Sequence, residues 1–285
     1  MNIIVDCNYL GYVNRFALSE GLSYRGSRTE IIFGFLKNIF HLADKFETHR
    51  FLFCWDSKDS LRRKIYPEYK SNRRVDRSEE EKEEDKIVFA QFDELRLSCL
   101  PKLGFKNIFY VDGYESDDLI AELVKVYFST QTNIVVSSDN DLLQLLEYCS
   151  LYNISKSQLT TMNEFIRTHG ILPSVWSEVK SISGCSSDNV EGISGVGEKT
   201  AIKYLKKELK KGKAYQSIES PEGKKIAERN LGLVALPFLG LPVFPIRKEE
   251  NFNKEDFIKV FEIYGLSSFL KDPTMTKISK QFNLG

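Results

Sequence analysis

The stretch IFYVDGYESDDLIAEL, residues 108–123, changes its period halfway along. Ile108 to Val111 form a short apolar run of β-branched and aromatic residues, as a buried strand requires. A Gly turn follows. Ser116 is then a fair N-cap, and Leu119, Ile120, Leu123 and Val124 recur at the spacing of one helix face. Glu115, Asp117 and Asp118 crowd three carboxylates into the joint. Acidic residues in a first turn favour the positive end of the helix dipole, so this segment alone reads as a well-capped helix.

The same unit recurs along the first half of the chain. NIIV (2–5), FLFC (51–54) and NIVVS (133–137) read as strands, and LYNIS (151–155) as a further one. Helical patterns cover roughly 27–46, 85–99, 116–128 and 139–147. Alternating strands and helices imply an α/β fold: a central, mostly parallel sheet with right-handed crossovers, flanked by helices. Asp6 follows the first strand and Asp56 the second. Asp139 and Asp141 follow NIVVSS, in SSDNDLLQLL. In an open parallel sheet the carboxyl ends of the strands share the edge where ligands bind. One acid after a strand is ordinary turn chemistry; four strands in succession point to a shared site.

Clustered carboxylates raise one another's pKa values, and burial raises them further. Divalent cations relieve that strain. An oxygen-only donor set suits Mg²⁺ or Mn²⁺ rather than zinc, and His41, His49 and His169 match no zinc spacing. Two cations per site suit phosphoryl transfer or hydrolysis.

Bulk composition excludes little else. Lys+Arg and Asp+Glu both total 40, so any polyanion site must come from local segregation of charge. Five scattered cysteines (7, 54, 99, 149, 185) form no C-x-x-C pair, which fits a reducing compartment. No apolar run reaches membrane-spanning length and the amino terminus lacks a basic leader, so the expectation is a soluble cytoplasmic protein with no membrane partner.

Charge is segregated in SKDSLRRKIYPEYKSNRRVDRSEEEKEEDK, residues 57–86. Lys58, Arg62, Arg63, Lys64, Lys70, Arg73, Arg74 and Arg77 come first, and an acidic run from Glu79 to Asp85 follows. The acidic run reads as a solvated surface. The basic part, interleaved with Tyr66 and Tyr69, has the composition of a phosphate-tracking surface with stacking faces. Leaving from Asp56, it should overhang the acidic rim. Further on, GCSSDNVEGISGVGEKTAIKYL (184–205) sets Asp188 in a polar turn and supplies Gly192, Gly195 and Gly197 before a helix near Glu198. Backbone N–H groups at such a turn can hold a phosphate without reading sequence, and Lys199 adds charge. A plain helix-turn-helix linker is the simpler reading of a bare GxG.

Taken together, IIVDCNYL, FCWDSK…RRKIYPEYKSNR, YESDDLIAEL, SSDNDLLQL and DNVEGISGVGEKTA resemble the structure-specific 5′ nuclease family. That family holds flap endonucleases and 5′→3′ exonucleases, and the compact chain resembles the phage or bacterial branch. The resemblance runs from residue 2 to about 205 and is loose beyond 214. It implies an α/β nuclease core over 1–165, with 57–100 as a helical arch or gateway. A helical domain would span 166–285 and carry a DNA-binding helix hairpin at about 181–210. It also implies site residues. Asp6, Asp56, Glu115 and Asp117 would serve a first Mg²⁺ or Mn²⁺. Asp117, Asp139 and Asp141 would lead a second, with Asp118 and Asp188 close by. Lys70 would contact the scissile phosphate and Arg73 would stabilise developing charge. Arg62, Arg63, Tyr69, Arg74, Gly195, Gly197 and Lys199 would contact DNA, with K⁺ at the hairpin.

Two departures stand out. Cys185 occupies the position of the first Asp in the family's Gly-Asp-x-x-Asp-Asn signature, which puts the second cation in question. Asp188 could compensate. The thiolate could favour a softer ion, or the thiol could be inert packing. Cys7 and Asn8 follow Asp6 in place of Gly-Ser or Gly-Thr, and Val13 stands where a basic residue is usual, with Arg15 nearest.

The implied activity is metal-assisted phosphodiester hydrolysis at 5′ ends or flaps, leaving a 5′-phosphate and a 3′-hydroxyl, as in RNA-primer removal during replication. Expected partners are branched or 5′-ended duplex DNA and RNA–DNA hybrid, bound by a monomer. A polymerase, clamp or single-strand-binding protein would be a further partner, and no motif selects among them. The competing reading is a branched-DNA-binding protein whose cleavage is weakened by Cys185. A PIN-type ribonuclease would lack GISGVGEKTA, and a haloacid-dehalogenase phosphatase needs an Asp where Asn8 stands.

Overall fold

The computed structural model describes residues 1–17, 22–74 and 78–284. Arg77 and the side chain of Arg74 lie outside the described residues. The chain forms two compact units, neither of them contiguous. The first comprises Met1–Trp55, Arg77–Phe109 and Val243–Gly285; the second comprises Asp56–Asp76 and Tyr110–Pro242. The fold is α/β, with mostly parallel strand pairing and flanking helices.

The first unit holds β1 (Asn2–Asp6), β2 (Ser23–Tyr24), β3 (Ser27–Arg28), β4 (Phe51–Cys54) and β5 (Ile108–Phe109). β1 and β4 are buried along their whole length, which is why they read as unbroken apolar runs rather than alternating ones. They pair in parallel, with Ile3 opposite Phe51 and Asp6 opposite Cys54, and β4 pairs in parallel with β5. β2 and β3 make a small antiparallel hairpin. Helix Glu30–Lys45 turns Ile31, Phe35, Leu36 and Ile39 inward. A core of aromatic rings packs largely edge to face, with Phe105 and Phe252 at 4.9 Å and Phe40 and Phe282 at 5.7 Å.

Helix Cys7–Ala17 starts on the residue after Asp6 and was not anticipated, because its apolar stripe is interrupted by Asn8, Asn14 and Arg15. Helix Glu79–Glu94 begins six residues earlier than the expected 85, since Ser78 and Glu81 form a reciprocal capping box. The acidic run is mostly exposed, as expected. Glu84 and Asp85 are the exceptions: Glu84 pairs with Arg28 at 2.5 Å, and Asp85 with Arg15 at 3.4 Å.

The second unit holds β6 (Asn133–Val136), parallel to β7 (Ser150–Asn153), which is antiparallel to β8 (Gln158–Thr160). A two-residue ribbon joins β9 (Gly184–Cys185) to β10 (Val190–Glu191). Helix Ser116–Glu122 widens into a π turn over Leu123–Tyr127. The helix expected at 139–147 is a 3₁₀ segment, Asn140–Leu145, headed by Asp139, whose side chain accepts the Asp141 N–H at 2.7 Å. Helix Trp176–Ser183 packs on helix Pro221–Val234. Among the described residues, no helix is long and apolar enough to cross a membrane.

Candidate active site

Asp6 ends β1 in the first unit; it is buried, and its Oδ1 accepts the Tyr9 N–H at 3.2 Å. The other acidic candidates all belong to the second unit. Asp56 opens that unit, and its Oδ1 accepts the Ser116 N–H at 2.7 Å. Burial pushes its pKa up, and Glu115 adds to the rise against the pull of Lys70.

Glu115 precedes helix Ser116–Glu122 and gathers two cations and a hydroxyl. Lys70 Nζ lies 2.8 Å from its Oε2, the Tyr69 hydroxyl 2.9 Å and Arg62 Nη1 3.7 Å. Burial alone would raise its pKa. Lys70 and Arg62 outweigh burial, so the carboxylate is held below its usual range. In turn Lys70 is held above the usual lysine value, against its own burial, by Glu115, Asp188 and Asp56.

Asp118 is a different case. Its oxygens take both Arg62 Nη atoms at 2.7 Å, the Phe238 N–H at 2.8 Å and the Glu115 N–H at 3.0 Å. Arg62 Nε donates to the Leu233 carbonyl at 2.8 Å. The pair is buried, Arg62 at 2% and Asp118 at 0% exposure. Four hydrogen bonds use the lone pairs that a cation would need. Asp118 is therefore a structural anchor with no oxygen left over to ligate a cation directly. The expected DNA contact from Arg62 is corrected too: its guanidinium faces inward. Tyr69 was expected to offer a stacking face; instead its ring is buried and its hydroxyl lies between Glu115 and Asp188, at 2.9 and 3.0 Å.

The basic segment is fastened to the turn that carries Asp188. The Lys70 N–H donates to the Asp188 carbonyl at 2.8 Å. Asn189 Nδ2 donates to the Glu68 carbonyl at 2.9 Å and to Ser71 Oγ at 3.0 Å. Lys70 and Asn189 both hold left-handed backbone, at φ 53° and 55°. Arg73 Nη2 reaches Asp188 Oδ1 at 2.8 Å, and Arg63 Nε donates to the Tyr69 carbonyl at 3.2 Å. Burial raises the Asp188 pKa, ahead of the lowering by Lys70 and Arg73.

Asp141, Cys185 and Asp188 bring one donor atom each within 4.8 Å of one another. Cys185 Sγ lies 3.6 Å from Asp141 Oδ2 and 3.0 Å from Ser187 Oγ. Burial and the nearby Asp141 and Asp188 push the thiol up to about 11, so it is protonated at neutral pH. Burial and Asp139 push Asp141 up to about 6. Buried like charges of this kind fit a divalent cation held by Asp141 and Asp188. Asp139 is exposed at the head of its 3₁₀ segment, and Asp117 is half-exposed in the first turn of its helix.

One residue escaped the sequence reading. Lys180 is buried between Asp141 Oδ1, at 3.6 Å, and Glu198 Oε1, at 3.1 Å. The available signal was helical spacing: position 180 lies one turn from the buried Trp176, on the face a lysine normally avoids. Beyond it, Gly192 is required by packing, since a Cβ there would meet the Ser183 backbone at 2.2 Å. Gly195 holds φ +75° with open space around it, and Gly197 heads helix Glu198–Leu205. Both are exposed, as is Lys199.

A sequence model described as the 5'-3' exonuclease N-terminal, resolvase-like domain matches residues 1–170. A 5'-3' exonuclease of Bacillus subtilis is 32% identical over 187 residues, 64% of this chain and 60% of that protein. One from Buchnera aphidicola is 30% identical over 221 residues, 76% of this chain and 74% of that protein. Among solved structures, the phage T5 D15 flap endonuclease, in a pseudo-enzyme-product complex with DNA and metal ions, superposes with a TM-score of 0.68 at 23% identity. The match covers 83% of this chain and 89% of that one.

Proposed function

Because this chain belongs to the 5'-3' exonuclease family, we propose that it hydrolyses phosphodiesters at 5′ ends or flaps of duplex DNA and RNA–DNA hybrid, with RNA-primer removal as the fitting role. One observation carries the reading. Lys70 and Arg73, the cations suited to a phosphate, are bonded to Glu115 and Asp188, the anions suited to a metal. Groups suited to a phosphate and groups suited to a cation therefore lie side by side.

Asp56, Glu115, Asp141 and Asp188 would hold Mg²⁺ or Mn²⁺, with Asp117 and Asp139 as further ligands. Bound there, a divalent cation supplies Lewis-acid activation of water and of the phosphate. Lys70 is the group that would meet a non-bridging oxygen of the scissile phosphate; its amine stays charged because three carboxylates surround it. Arg73 is half-exposed and can leave Asp188 for the phosphate as charge develops. Tyr69 positions Glu115 and Asp188 through its hydroxyl. The Gly195–Gly197 turn and Lys199 would grip a duplex phosphate, with K⁺ a suitable counter-ion.

The test is a product-length assay on 5′-labelled flap and nicked duplexes with varied divalent ion. Asp139→Asn should abolish cleavage while sparing duplex binding; retained turnover counts heavily against this assignment. Cys185 supports a second reading, in which a branched-DNA-binding protein cleaves weakly because a neutral thiol stands in the carboxylate cluster. Cys185→Asp discriminates. A lower half-saturating Mg²⁺ concentration and faster cleavage would identify the thiol as the defect; unchanged rates would leave it as inert packing.

A further inference from the structure

Lys180 has no role in the reaction as described, yet it is a buried lysine. Its side chain comes from helix Trp176–Ser183, is 7% exposed, and carries its ammonium 5.7 Å from the centre of the Trp176 ring. An ammonium taken out of water is costly unless it is well paired. This one is paired twice, at 3.1 Å with Glu198 and at 3.6 Å with Asp141. The two acids belong to different parts of the proposed machinery. Asp141 stands with Asp188 in the cation-binding cluster, and Glu198 is the first residue of the helix behind the Gly195–Gly197 turn.

Each pairing has a purpose. Asp141 faces the like charges of Asp139 and Asp188, and a fixed cation on Oδ1 orients its carboxylate against that repulsion. Glu198 is half-exposed beside a turn suited to phosphate, where a bare carboxylate would repel the ligand. We propose that Lys180 is a positioning residue that couples the cation-binding carboxylate Asp141 to the duplex-gripping helix start at Glu198. The inference rests on the nuclease reading, with its own readout in metal binding without DNA.

Full-length Lys180→Met, Lys180→Arg, Glu198→Gln and the Lys180→Met/Glu198→Gln double variant are compared. Mn²⁺ binding to the DNA-free protein is read by electron paramagnetic resonance. Affinity for a 5′-flap duplex in Ca²⁺ is read by anisotropy. Lys180→Met should weaken Mn²⁺ binding by about tenfold, the usual loss when a partner of a metal ligand is removed, and should weaken flap binding as well. Lys180→Arg should restore both. Adding Glu198→Gln to Lys180→Met should restore flap binding and leave Mn²⁺ binding weak.

Unchanged or tighter Mn²⁺ binding in Lys180→Met overturns the proposal, because the ammonium would then only compete with the metal. Failure of Glu198→Gln to restore flap binding overturns the coupling. If Lys180→Met does not fold by circular dichroism, Glu198→Gln alone decides. Losing the tether should weaken Mn²⁺ binding, and no change refutes the link. Wild-type protein that binds Mn²⁺ but neither binds nor cuts a flap defeats the nuclease reading separately.

Discussion

Arg62→Ala separates two readings of one arginine. In the sequence it belongs to a basic segment suited to phosphates; in the structure it is the buried partner of Asp118. Truncation removes two 2.7 Å charge-assisted bonds and the bond to the Leu233 carbonyl. It leaves Asp118, at 0% exposure, with the N–H groups of Phe238 and Glu115 alone. Breaking a buried pair from one side costs about 3–5 kcal/mol, because the remaining charge is uncompensated. For a chain of this size that corresponds to a fall in Tm of about 10 °C. Arg62→Met/Asp118→Leu, which removes both charges, should recover much of the loss. The assays are thermal unfolding and flap binding across a salt series well below the transition. A phosphate contact would instead leave Tm unchanged and reduce the salt slope of binding by about one. That second pattern would refute the assignment of Arg62 as an internal anchor.

Two further outcomes are expected. Asp141 has its folded pKa raised to about 6, above the unfolded carboxylate value, so the folded state holds the extra proton between about pH 4 and 6. Stability from that proton is lost as pH rises through this window. In EDTA, Asp141→Asn should therefore match wild type near pH 4 and exceed it by roughly 3 kcal/mol above pH 6 in denaturant unfolding; an advantage largest at low pH would contradict the sign. Lys70→Ala should slow single-turnover cleavage by about 10²-fold or more while changing flap affinity far less, and equal losses in both would reduce Lys70 to a binding role.

Much of the strand framework was legible because buried parallel strands read as short unbroken apolar runs. NIIV, FLFC and NIVV reveal themselves without alternation, and the acids after them mark the strand ends. What the residues could not reveal was direction. Arg62 and Arg63 are adjacent and chemically alike, yet a helical turn sends one into the interior against Asp118 and leaves the other at the surface. Tyr69 has a stacking residue's composition and a hydrogen-bonding residue's position. The helix at 7–17 was hidden by its polar interruptions. The membership of 243–284 in the first unit depends on aromatic contacts, such as Phe105 with Phe252, whose partners lie far apart in the chain. Cys185 was recognisable as a departure, but its protonated state follows only from burial beside two carboxylates.

The basic segment is fastened to the 186–189 turn by main-chain and amide hydrogen bonds as well as by ion pairs. Neutral bonds of this kind are almost indifferent to ionic strength, whereas attraction to a polyanion is not. The molecule should consequently respond to added salt in one parameter only. Substrate capture should decline steeply, while turnover of substrate already captured stays level, since the Lys70 main chain is held by its N–H bond to the Asp188 carbonyl and its amine by buried carboxylates that salt screens little.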